Sequence, residues 1–132
     1  MVILTIVLAL ILFILFMFFL IPWFYGAPYD ITRGKSLKNI VKLANPKSGD
    51  LIAELGSGDG RVCIALAYKN PKAKFTIHGY EINPLLVLIS RRKIKHLGLQ
   101  NKIRIYWANF WKVNLSKYNK IVFFQFSTIT KT

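Results

Sequence analysis

Residues 50–67, DLIAELGSGDGRVCIALA, restrict the fold of this chain more than any other stretch. A short apolar run over 51–55 carries Glu54 near its end and breaks into Gly56-Ser57-Gly58-Asp59-Gly60. Apolar residues return at Val62, Ala65 and Leu66 with helical spacing. The pattern predicts a strand, a glycine loop and a helix. Glycines one residue apart admit positive φ and carry no β-carbon to hold a ligand off the backbone, and the helix that follows opens with unpaired N–H groups. A nucleotide-like cofactor can therefore lie directly on the turn.

Spacing within the loop separates two kinds of ligand. A dinucleotide pyrophosphate sits on G-x-G-x-x-G, whose third glycine lets the helix pack closely on the strand. Arg61 occupies that position here and is too large for the contact. An acidic residue two before G-x-G-x-G instead resembles motif I of class I S-adenosyl-L-methionine (AdoMet) methyltransferases. The alternative is a glycine-rich turn that holds no ligand.

The N-terminus sets a second constraint. Residues 1–21 carry no charged side chain, and Thr5 is the only clearly polar one. Leu, Ile, Phe and Val each favour insertion near the bilayer centre by about 0.3 to 0.6 kcal/mol, which together outweigh one threonine. A cleaved signal peptide would show a basic start, a shorter apolar region and a small-x-small site. Instead Pro22 closes the run and Trp23, Phe24 and Tyr25 follow, as in an interfacial aromatic belt. Residues 1–25 thus read as one transmembrane helix. All 19 Lys and Arg residues come later, beginning at Arg33, so the positive-inside rule places the N-terminus outside and the following domain in the cytoplasm. The bilayer is then one partner, with the juxtamembrane lysines available to anionic lipid. A net charge of +14 also fits nucleic acid, but the basic residues are scattered and form no aromatic-interleaved block, so a solvated surface is favoured.

Residues 26–49 read as a linker, Gly26-Ala27-Pro28-Tyr29-Asp30, and a short amphipathic helix over 36–43 with Leu37, Ile40, Val41 and Leu43 among lysines. Asn45-Pro46 stops it. From residue 50 to 132 the chain reads as the N-terminal part of a cofactor-binding domain. A second strand over 74–81 ends at Glu81, where an acid can accept hydrogen bonds from both hydroxyls of a ribose. Asn83 and Pro84 cap a helix running to about residue 96, with Leu85, Leu88, Ile89 and Ile94 as its expected buried face and Arg91, Arg92, Lys93 and Lys95 solvated. A third strand over 102–108 leads into Asn109-Phe110-Trp111. A fourth, over 120–126, is apolar nearly throughout and expected to be buried on both faces.

Of only five acidic residues, Glu54, Asp59 and Glu81 fall at or beside the glycine loop. Asp59 has two readings, a cap for the helix beginning near Arg61 or a ligand contact. Cys63 reads as a small core residue. His78 and His96 have no companions at ligand spacing, so no metal site is expected.

ELGSGDGR, YEINPLLVLISRRK and ANFWKVNLSKYNKIVFF, with the apolar start before them, resemble the membrane-associated protein-lysine methyltransferases, the family that includes the adenine nucleotide translocase and ATP synthase c-subunit lysine methyltransferases. The resemblance covers about residues 28–124. Tyr80-Glu81-x-Asn83-Pro84 and Trp111-Lys112-Val113 are its most specific parts. It implies a Rossmann-like α/β class I methyltransferase fold with a seven-stranded sheet in the order 3-2-1-4-5-7-6, of which this sequence supplies strands one to four. It also implies AdoMet as cofactor. Glu54, Gly56, Gly58 and Gly60 would surround its methionine part, Glu81 its ribose, and Asn109 with Phe110 its adenine, with Ser57 of the loop also counted among the cofactor-binding residues. The implied acceptor is a lysine Nε of a protein, which can itself be membrane-embedded; RNA or a small molecule, or AdoMet binding without catalysis, are the alternatives. Asn109 replaces the family's usual aspartate and can accept the adenine amino group only without charge assistance. Residues 125–130 lack the family's proline-containing loop at the acceptor entrance. The half-sheet is expected to be a fragment, or to be completed by another chain.

Transfer to nitrogen is an in-line displacement in which the protein chiefly aligns the partners. Lysine must first lose a proton, at about 4 to 5 kcal/mol at pH 7 unless burial lowers its pKa. No Asp or Glu follows Glu81. An apolar entry involving Tyr29 or residues 123–126 is the expectation, and no catalytic residue is assigned.

Overall fold

The computed structural model describes the backbone of residues 1–24 and 34–124, and the side chains of 1–17 and 34–124. The expected linker, Tyr25, Tyr29, Arg33 and residues 125–132 lie outside the described residues, as do the side chains of Pro22, Trp23 and Phe24.

Helix α1 runs Val2–Phe24, and its described side chains are exposed. Among the described residues no helix is long and apolar enough to cross a membrane; α1 is described with side chains only as far as Met17. Next come α2 (Gly34–Ala44), β1 (Leu51–Leu55), α3 (Arg61–Lys69), β2 (Thr76–Glu81), α4 (Pro84–His96), β3 (Ile103–Trp107), a 3-10 turn (Phe110–Lys112) and β4 (Lys120–Phe123). The four strands form one parallel sheet in the order β3-β2-β1-β4. This is a Rossmann-like half-sheet with β1 inside it, as the sequence predicts.

Alternation along the strands builds two cores. On one face Ile52, Ile77 and Ile105 meet Val62, Cys63 and Leu66 of α3 and Val87 and Ile94 of α4. The apolar residues of α2, Leu37, Ile40, Val41 and Ala44, pack at its margin, which is why a helix with no fully buried residue still docks. On the other face Ala53, Leu55 and Tyr80 lie under Phe110 and Tyr118. Tyrosines make this second core partly polar: the Tyr118 hydroxyl bonds that of Tyr80 and lies 2.8 Å from Nδ1 of His78, so each polar tip is paired. Burial, reinforced by the bond to Tyr80, pushes the Tyr118 phenol above its ordinary pKa.

Packing overturns three expectations. The buried face of α4 is Val87, Ser90 and Ile94, whereas Leu85 and Leu88 are exposed, Leu88 by 47%. The tight approach of α4 to the glycine loop selects the small Ser90: a β-carbon at Gly60 would lie 3.0 Å from the Ser90 Cβ. Arg91 is not simply solvated, because its Nε and Nη2 donate to the Ile105 carbonyl at 3.0 and 2.7 Å. And β4 alternates instead of being buried on both faces, with Ile121 49% exposed, because it is the outer strand among the described residues.

Candidate functional site

The carboxyl ends of β1, β2 and β3 gather the residues singled out in the sequence, at the place where open parallel sheets receive ligands. The loop after β1 turns back through three left-handed glycines, Gly56, Gly58 and Gly60, with φ of 75°, 53° and 80°. Only glycine takes these values without strain. Gly56 and Ser57 donate their backbone N–H groups to the Tyr80 carbonyl at 2.9 and 3.0 Å, which fastens the loop to the end of β2.

Glu81 completes that fastening. Its Oε2 accepts from the Gly58 N–H at 2.8 Å and its Oε1 from the Asn83 N–H at 2.8 Å, while the Asn83 side chain caps α4 by accepting from the N–H groups of Leu85 and Leu86. One carboxylate thus joins the glycine loop to the start of α4. Burial raises its pKa and the backbone donors oppose the rise. Each oxygen keeps a lone pair for a further donor.

Glu54 lies on the α3 side of β1 and is buried, as is Cys63, whose Sγ donates to Glu54 Oε2 at 2.6 Å. Burial pushes the Glu54 carboxyl up to about 8, with the charges of Asp59 and Glu81 adding to the rise. Asp59 behaves in the opposite way. Burial works against its charge, but Arg61 and Lys93 outweigh that and hold it well below the usual carboxylate range. Arg61 Nε and Nη2 donate to Asp59 Oδ1 and Oδ2, each at 2.8 Å, and Lys93 reaches Oδ2 from α4 at 2.6 Å. Its bond to the Arg61 backbone N–H is long, 3.4 Å, so Asp59 serves as an ionic tie between loop and α4 more than as a helix cap.

Ser57 is buried, and its Oγ has no hydrogen-bond partner among the described residues. It sits over Gly79 of β2, where an added β-carbon would come within 2.9 Å of Ser57 Cβ and Oγ and within 2.6 Å of Ile105 Cδ1. The adenine candidates follow β3. The end of that strand is tied to β2 by Ala108 N–H donating to the Glu81 carbonyl at 3.0 Å and by Trp107 Nε1–H donating to the Ile82 carbonyl at 2.9 Å. Asn109 is half-buried, and its Oδ1 already accepts from the Trp111 N–H at 3.0 Å. Phe110 is buried in the second core, its ring against Trp111 and Phe123. The structure therefore brings Gly56, Ser57, Gly58, Gly60 and Glu81 into one bonded group, holds Glu54 at the end of β1 through its bond to Cys63 and sets Asn109 after β3, while Phe110 faces the opposite core. Sequence reasoning missed Gly79, Cys63 and Lys93. Lys93 is 34 residues from Asp59 and carries no local signal of its role. Cys63 does carry one, since the first turn of a helix after a glycine loop faces the strand that precedes it.

The donor set fits AdoMet. Its ammonium group matches a buried carboxyl such as Glu54, its ribose diol matches the free lone pairs of Glu81, and the Ser57 hydroxyl leaves a polar atom to satisfy.

The family model described as the ANTKMT methyltransferase domain matches residues 54–132. The chain belongs to this family. Over 97 residues it is 38% identical to the ATP synthase c-subunit lysine N-methyltransferase of Homo sapiens, covering 74% of this chain and 40% of that protein. It is 28% identical over 95 residues to the adenine nucleotide translocase lysine N-methyltransferase of Mus musculus, at 72% and 40% coverage. A protein-lysine N-methyltransferase of Saccharolobus islandicus (strain REY15A) is 27% identical over 104 residues, at 79% and 63%. The chain thus spans about two fifths of the length of these two animal relatives. Among solved structures, an RNA methyltransferase from Salinibacter ruber in complex with S-adenosyl-L-homocysteine superposes with a TM-score of 0.66 at 22% identity, covering 76% of this chain and 63% of that one. A dimethyladenosine transferase from Plasmodium falciparum gives 0.64 at 20% identity, over 77% and 35%. Both likenesses concern the fold alone.

Proposed function

We propose that the protein is a membrane-anchored, AdoMet-dependent methyltransferase whose acceptor is the side-chain nitrogen of a protein lysine. The observation that carries the AdoMet part is the bond from the Gly58 N–H to Glu81 Oε2, which puts a carboxylate against a left-handed glycine loop at the strand ends. AdoMet supplies an electron-poor methyl carbon on a sulfonium. The chain's own residues bind and orient: Glu81 accepts from the ribose hydroxyls, Glu54 faces the ammonium group, and Asn109 Oδ1 offers its second lone pair to the adenine amino group. Charge-assisted bonds to Glu81 contribute about 1.5 to 3 kcal/mol each.

The acceptor is argued from chemistry and kinship. Relatives from animals and from Saccharolobus islandicus carry names that specify lysine, and a lysine amine needs only an apolar channel to lose its proton. RNA and small-molecule acceptors are the competing outcomes. Anchoring is argued from α1. Its 23 residues extend about 34 Å at 1.5 Å per residue, more than the roughly 30 Å of a hydrocarbon core, and they carry no charged side chain. The positive-inside rule then puts the N-terminus outside and the catalytic domain in the cytoplasm, with Lys35, Lys38 and Lys42 of α2 near anionic headgroups.

The test begins with isothermal titration of detergent-purified full chain with AdoMet, where binding is expected. Incubation with labelled AdoMet and membranes, ribosomes or lipid extracts then identifies the acceptor; acid-stable label on a membrane protein's lysine is the expected result. Label confined to RNA or to lipid extract would displace the lysine acceptor, and binding with no transfer to any fraction would leave AdoMet binding as the whole activity.

A further inference from the structure

We propose that Cys63 is a positioning residue for the cofactor: its thiol orients the Glu54 carboxyl, which is protonated in the free protein and releases that proton to solvent when the ammonium group of AdoMet arrives. The inference rests on the AdoMet reading above and adds to it a residue and a proton.

The geometry comes first. Glu54 is the fourth residue of β1 and Cys63 the third of α3, so strand and helix meet across the base of the glycine loop. The 2.6 Å bond from Sγ to Oε2 joins a side chain 5% exposed to one that is 0% exposed. A buried thiol has little else to bond, and its direction fixes which oxygen of Glu54 is held and which is left. The surroundings decide the charge. Facing Glu54 are the thiol and backbone N–H of Cys63 from α3, which favour its ionised form, and Asp59 from the loop and Glu81 from β2, which together with burial outweigh them and favour the neutral acid. Arg61 and Lys93 both direct their charge to Asp59. A carboxyl so enclosed keeps its proton at neutral pH, in accord with a value of about 8. An arriving ammonium supplies a cation for Glu54, and the neutral acid then ionises. No covalent bond changes apart from that O–H, and one proton passes from Glu54 to the buffer.

Linkage fixes the sign. If binding releases a proton, affinity rises with pH, by up to tenfold per unit where the release is complete. The window is pH 6 to 7, below the Glu54 value and low enough to keep the ligand's own amine protonated.

Titration of the full chain with AdoMet at pH 6.5, in two buffers of different ionisation heat, counts the protons. Release approaching one per AdoMet is expected for the parent, and none for Glu54→Gln. Cys63→Val removes the donor and is expected to weaken binding at pH 7 by about tenfold and to move the rise of affinity to higher pH; Cys63→Ser restores a donor and is expected to return both. Parent protein that binds AdoMet without releasing a proton overturns the protonation step. A Cys63→Val profile that coincides with the parent overturns the positioning role, and if that variant does not fold, Cys63→Ala against Cys63→Ser makes the same comparison. A parent that binds no AdoMet at all defeats the functional reading itself and is distinguishable from both.

Discussion

At Glu81 a single carboxylate bonds the amides of Gly58 and Asn83 and stands at the strand end proposed to receive a sugar diol. Glu81→Ala removes all of these acceptors. Loss of one charge-assisted bond predicts AdoMet binding weaker by about ten- to a hundredfold, measured by calorimetry, with a lower Tm because the Gly58 and Asn83 N–H groups lose their partners. Glu54 predicts a pH effect on the free protein. Its folded pKa, about 8, lies above the ordinary value of 4.5, so the folded state binds the extra proton between those limits. Its contribution to stability is complete below about pH 4.5 and is lost as pH rises through 8. Tm of the free protein is therefore expected to fall across this range, and to fall less in Glu54→Gln. Gly79→Ala forces a β-carbon against Ile105 and Ser57, and overpacking of this kind costs about 1 to 3 kcal/mol, readable by denaturant unfolding. The glycine loop, Glu54 and Glu81 were legible in the sequence because each sits beside a chain break of its own. Gly79 was not, since what forbids a side chain there is Ser57 and Ile105, which the fold brings against it from other elements.

Among the elements, the first three strands could be read from apolar runs bounded by Asn-Pro and Gly turns, and their parallel pairing follows from the intervening helices, whereas β4 was read from its apolar run alone and follows β3 through only a 3-10 turn. The face of α4 could not. Apolar count favours Leu85 and Leu88, but the helix turns Ser90 inward because only a small residue fits against Gly60. The second core was equally hidden: Tyr80 and Tyr118 are 38 residues apart, and nothing local says that their hydroxyls pair. Tyr118→Phe strands the Tyr80 hydroxyl and the partly buried His78 ring, with an expected loss of about 1 to 3 kcal/mol. Replacing Tyr80 by Phe as well is expected to recover part of it in a double-mutant cycle.

For the whole molecule, the charge layout and the apolar N-terminus make separable predictions. Full chain mixed with liposomes and floated through a density gradient is expected to stay with the lipid at 1 M salt, since a helix embedded in hydrocarbon is insensitive to screening whereas lysine contacts with headgroups are not. Beyond that, three of the chain's five acids stand at the crevice of a molecule with net charge +14. On the proposed function a methyl donor arrives there as a sulfonium, and once it has reacted it leaves as a neutral thioether. Asp59 is already held by Arg61 and Lys93 and the free Glu54 is neutral, so the draw on the cation falls to Glu81 and to the Glu54 that ionises as it binds; the spent nucleoside has less to offer them and is expected to compete poorly with fresh donor.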